Sequence, residues 1–239
     1  MKGKGERTAE GAGRTGAWRT VYWTLMFLPL AVTAAALTVL PDQVPMHYDL
    51  AGEIDRWGSK YENLILPAMV LVIGGAYRGG VWLVREQTGK ENARAVQRLM
   101  GWIGCGMLFV FNVMTLYFLL TAYRLAMAGG GTLPQGALCR GLFAVTGVLF
   151  LPLGNAMPKL RRNGWAGVRT PWSMKSDENW RRCQQTGGAV MMAAGAVMAA
   201  GNALFPLTDV QSLCFSLGTL LVMAVAIVAV TAAVSRKKG

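Results

Sequence analysis

Apolar residues gather into six long runs separated by polar stretches: Thr20 to Leu40, Asn63 to Val84, Leu99 to Tyr123, Ala137 to Leu153, Gly187 to Phe205 and Ser212 to Val234. A helix needs about 20 such residues to cross a hydrocarbon core of roughly 30 Å. Backbone groups in lipid must be satisfied within their own segment, which a lone strand cannot do. The pattern therefore predicts an all-α membrane protein, a six-helix transmembrane bundle. The first run imitates a signal peptide, with a basic start and small residues near its end, but about 21 apolar residues exceed the usual 7 to 15. A retained helix is expected.

The polar stretches are unequal. The Gly-rich start has almost no apolar residue, so residues 1–19 are expected to be a disordered cytoplasmic tail. Residues 20–84 then hold two helices and a long loop, residues 85–234 four helices, and residues 235–239 a basic tail. The loop after the first run, "PDQVPMHYDLAGEIDRWGSK", is punctuated by Pro and Gly and reads as extended and turn-rich. The one between the fourth and fifth runs, "GNAMPKLRRNGWAGVRTPWSMKSDENWRRCQQTGG", carries seven Lys or Arg, three Trp and two Pro. Pro158 stops the fourth helix, and "RTPW" is extended because the residue before proline avoids helix. Ser173 or Ser176 can cap a short helix from Asp177 to Arg182, with Asp177 and Glu178 in its first turn. Trp172 and Trp180 would then anchor this stretch at the membrane interface.

Charge sets the orientation. The chain has a formal net charge of +12. With the N-terminus inside, nineteen Lys and Arg fall on the cytoplasmic side and four, Arg56, Lys60, Arg124 and Arg140, on the other. Cytoplasmic loops retain positive charge, so both termini are expected in the cytoplasm. Arg78, inside the second run, lies close enough to its cytoplasmic end to snorkel. Topology accounts for the basic balance, so direct nucleic-acid binding is not expected; the lipid bilayer and its anionic headgroups are the expected partner.

Candidate chemistry is sparse. Cys105, Cys139, Cys183 and Cys214 are isolated, with no paired spacing, so neither a zinc site nor a disulfide framework is expected. His47 lies among Asp42, Asp49, Glu53 and Asp55, but one His without a second ligand at helical spacing predicts a hydrogen-bonded turn and no metal. No nucleophile elbow, zinc-protease motif or phosphate loop is present, so neither catalytic residues nor a cofactor is expected. Asn112, Thr115, Asn155 and Asn202 are the polar candidates within the runs, and small residues such as Gly75, Gly79, Ala189, Ala193 and Gly201 mark packing surfaces.

The inner loop resembles the signature of the SdpI family of bacterial membrane proteins, through Gly154, Asn155, Pro158, Lys159, Asn163, Gly167, Arg169, Thr170, Pro171, Trp172, Trp180 and Gly187. The outer loop is similar to the domain of unknown function that often precedes that signature, through Pro45, His47, Gly52, Asp55, Gly58, Ser59 and Lys60. Gln184 stands where the family commonly has a His. The resemblance implies a multi-pass immunity protein of the bacterial cell membrane. It would protect against a secreted antibacterial peptide toxin and signal by holding a transcriptional repressor at the membrane. His47, Gly52, Asp55, Trp57, Gly58, Ser59 and Lys60 would then form an outer recognition surface. The inner residues from Asn155 to Trp180 would dock the cytoplasmic partner. A small-solute or ion transporter is the alternative, but it calls for polar groups near the membrane midplane, where this chain has few.

Overall fold

The computed structural model describes residues 4–49, 52–87, 90–133 and 136–236. Among them are six long helices and one small sheet: α1 Lys4–Ala36, α2 Ile65–Gln87, α3 Lys90–Met127, α4 Ala137–Ala156, α5 Asp177–Leu204 and α6 Asp209–Arg236, with strands β1 Gln43–Tyr48 and β2 Ile54–Ser59. Five of the helices are long and apolar enough to cross a membrane. In α1 the apolar run is helical to Ala36 and continues in hydrogen-bonded turns to Leu40. The chain is a multi-pass, all-α membrane protein.

Two expectations are corrected here. The tail expected to be disordered is helical from Lys4 onward. Once the apolar run has formed helix, each upstream residue adds a hydrogen bond without a new nucleation cost. The short helix expected at Asp177–Arg182 is instead the first part of α5, which runs unbroken to Leu204. Nothing between Arg182 and Gly187 stops it: "CQQT" holds no proline, and each residue there continues the ladder.

The chain forms two compact units. One comprises Met1–Trp82 and Met100–Pro134, so most of α3 packs with α1 and α2. Its core joins Trp18, Tyr22 and Met26 of α1 to Val70 of α2 and Cys105 and Leu108 of α3. Polar side chains tie the same helices together: Tyr22 Oη donates to Gly74 O at 2.7 Å, Tyr77 Oη to Met100 O at 2.8 Å, and Asn112 Nδ2 to Leu25 O at 2.8 Å. A second cluster, Leu40, Val44, Leu119 and Ala122, seats the sheet on the end of α3.

The other unit comprises Leu83–Leu99 and Gln135–Gly239. Here α4 and α5 lie antiparallel with two glycine pairs at the contact. A Cβ on Gly147 would stand 2.6 Å from Gly195 O, and one on Gly154 would stand 2.5 Å from Gly188 O. The pairs are seven residues apart on both helices, so the same face returns after two turns and the backbones approach closely at both. Between α5 and α6, Asn202 Nδ2 donates to Ser216 Oγ at 3.0 Å and Ser212 Oγ donates to Asn202 Oδ1. These buried polar groups satisfy one another and clasp the hairpin of helices.

Candidate functional site

The outer loop forms an antiparallel hairpin, which sharpens the extended, turn-rich reading. Val44 pairs with Gly58 and Pro45 with Trp57, with register shifts on either side of His47. At the turn, Gly52 has φ +81°, where a side chain would be strained, and its carbonyl accepts from Leu133 N at 2.8 Å. At the base, Ser59 and Glu62 form a capping box that launches a 3-10 turn, Lys60–Leu64, leading directly into α2. Glu62 also accepts two hydrogen bonds from Arg56 at 3.0 Å. Gly58 makes room for this: a Cβ there would collide with Met46 and the Glu62 carboxylate. Lys60 Nζ reaches Asp42 at 3.0 Å and Leu40 O at 3.5 Å, joining the ends of α1 and α2.

Exposure separates the expected recognition residues into two roles. His47, Asp55 and Trp57 are exposed, and His47 Nδ1 lies 2.7 and 2.8 Å from the two Asp55 oxygens. Gly52, Gly58, Ser59 and Lys60 hold the hairpin in shape. Tyr48 faces inward, and burial pushes its phenol up to about 12, so it remains a neutral hydroxyl. Among the described residues no three His, Cys, Asp or Glu side chains come together as a metal ion would need.

The inner loop is knit to itself. Pro158 lies in a 3-10 turn, Met157–Lys159, that ends α4. Asn163 is buried, its Oδ1 accepting from Trp165 N and Ala166 N at 2.8 Å and its Nδ2 donating to Arg161 O at 2.9 Å. Thr170 and Ser173 exchange backbone-to-hydroxyl bonds at 2.9 and 3.1 Å, fixing the turn around Pro171. Ser176 is the cap of α5, accepting from Asn179 N at 3.1 Å. Arg162 bridges to Asp177 at 2.8 Å and donates to Met174 O, while Arg169 donates to Gly164 O.

Trp180 is not the interfacial anchor that was expected. It is 2% exposed, and its Nε1 donates to Leu160 O at 2.7 Å, stapling the loop to α5. Continuity of α5 explains this: the helix presents Trp180, Cys183, Gln184 and Gly187 as one buried face. Trp172 is half-buried, and of the three indoles in the loop Trp165 is the exposed one. The residues left at the surface among those expected to dock a partner are Asn155, Lys159, Gly167, Arg169 and Pro171.

In the sequence Gln184 stands out only as a departure from the family pattern; the structure gives it a role. It is fully buried, its Oε1 accepting from Val168 N and its Nε2 donating to Val168 O, both at 2.9 Å. The side-chain amide thus pairs with the main chain as a neighbouring strand would. Gly167 permits that approach: its φ is +101°, and a Cβ there would stand 2.5 Å from Gln184 Oε1. Sequence gave one signal, a polar residue one helical turn from Trp180 on the same face.

Two family models match the chain: the SdpI/YfhL protein family over residues 159–235 and the domain of unknown function DUF1648 over residues 24–71. The first begins in the inner loop and the second covers the hairpin. No curated protein and no solved structure matches it.

Proposed function

The chain belongs to the SdpI/YfhL protein family, with DUF1648 ahead of the family region, and on that premise we propose that it is an integral immunity protein of the bacterial cell membrane. It gives resistance to a secreted antibacterial peptide and signals by recruiting a cytoplasmic repressor. Family membership carries this reading. The hairpin supports it by offering His47, Asp55 and Trp57 on a braced scaffold, and the inner loop by offering Lys159 and Arg169 on a self-bonded one. A rigid display lowers the ordering cost of binding a peptide or an acidic protein surface.

The test is protection. Full-length protein is produced in a sensitive bacterium lacking immunity genes, which is then challenged with the secreted killing-factor peptide against which the family's type member protects. Survival at doses that kill the vector control is expected, with protection lost in His47→Ala/Asp55→Ala/Trp57→Ala at equal membrane level. Killing equal to the control refutes immunity. Membrane capture of the repressor upon toxin addition, weakened by Lys159→Ala/Arg169→Ala, tests the signalling part; a repressor that stays soluble removes that part alone.

A further inference from the structure

In the N-terminal unit, at the end of α1 and α2 remote from the hairpin, two guanidinium groups converge on one indole. Arg19 Cζ lies 5.7 Å and Arg78 Cζ 5.6 Å from the centre of the Trp18 ring. The ring is held firmly. Trp18 is 4% exposed, Cys105 Sγ donates to its carbonyl at 3.4 Å, and a Cβ on Gly101 would stand 2.5 Å from the ring. Each cation gains from the ring, Arg19 being exposed and Arg78 partly buried. No carboxylate among the described residues pairs with either of them.

Their depth is fixed by the opposite end. Lys60 Nζ and Leu40 O tie the hairpin ends of α2 and α1 together. Arg78 and Arg19 each stand about 20 residues away along their helices, roughly 30 Å at 1.5 Å per residue, which is one hydrocarbon thickness. Both guanidiniums therefore reach the phosphate layer of the opposite leaflet, the cytoplasmic one by the charge rule. A guanidinium packed on a ring face keeps N–H edges for an oxygen acceptor, and its fork matches a phosphate.

We propose that Arg19 and Arg78, mounted on Trp18, bind the phosphate of an anionic phospholipid. The lipid becomes a fixed part of the α1–α2 end, its phosphate answering two positive charges mounted on one indole. The site is independent of peptide recognition at the hairpin.

Native mass spectrometry and thermal unfolding of the full-length protein in detergent test this, with added phosphatidylglycerol, phosphatidylcholine or inorganic phosphate. Phosphatidylglycerol is expected to remain bound and to raise the unfolding midpoint. Phosphatidylcholine should bind about tenfold more weakly, and Arg19→Gln/Arg78→Gln should weaken phosphatidylglycerol retention about tenfold or more, the scale of one or two charge-assisted hydrogen bonds. Arg161→Gln/Arg162→Gln removes equal charge from the inner loop and should retain the lipid. Equal loss in that control overturns the site in favour of summed charge. Undiminished retention in the Arg19/Arg78 pair overturns it outright, and an equal shift with inorganic phosphate alone overturns a lipid ligand. Should the glutamine pair fail to fold, Arg19→Lys/Arg78→Lys keeps the charge without the fork; retention equal to wild type then removes the bidentate site.

Discussion

At Gln184 one primary amide supplies both a donor and an acceptor to the main chain of Val168, and the neighbouring Gly167 has no side chain to obstruct it. Truncating the amide strands two backbone groups beside a buried face, at about 1–3 kcal/mol each if water does not replace it. Gln184→Ala should therefore lower the unfolding midpoint in detergent clearly. Gly167→Ala should do so too, through its positive φ and its clash with Oε1. The double variant should cost less than the two single costs together, because removing the amide also removes the clash; strict additivity in a double-mutant cycle would show that the contact is not made. The two tryptophans expected to act alike should separate in the same assay. Trp180→Ala empties a buried site and unpairs Leu160 O, about 3–5 kcal/mol, whereas Trp172→Ala should cost much less.

Between elements, the α4–α5 contact rests on glycine pairs where each backbone is the other's nearest neighbour. A methyl group at Gly147 or Gly195 meets main-chain atoms, which cannot rotate away as a side chain can. Gly147→Ala and Gly195→Ala should each reduce folded yield in detergent, by a cost of about 1–3 kcal/mol for overpacking. Gly141→Ala and Gly218→Ala are the comparison, since a Cβ at either meets nothing within 4 Å. Those two should match wild type or gain slightly from helix propensity. Equal losses in all four would assign the effect to helix flexibility and not to close approach.

For the whole molecule the prediction concerns direction across the membrane. The asymmetry of Lys and Arg predicts the hairpin outside and the inner loop inside. Single cysteines at Trp57 and Lys175, both exposed, report this in a background with the native cysteines replaced. A membrane-impermeant thiol reagent applied to intact cells should label the Trp57→Cys variant, and the Lys175→Cys variant only after permeabilisation. Labelling of both from one side would break the assignment.

Hydropathy along the chain determined the helices, their number and the places where they stop. These depend on solvent transfer and backbone satisfaction, which act residue by residue. Pro158 was legible for the same reason, and Ser176 as one of two candidate caps with Ser173, each acting on its immediate neighbours. The tertiary structure alone decided which polar residues face outward. Asn163, Trp180 and Gln184 look like surface residues in a basic loop, yet partners up to twenty residues away turn them inward. Likewise Arg19 and Arg78 meet on one indole only because α1 and α2 pack side by side, fifty-odd positions apart in sequence. Periodicity tells which face of a helix is apolar, but pairing between distant segments depends on complementary shapes that no local pattern records.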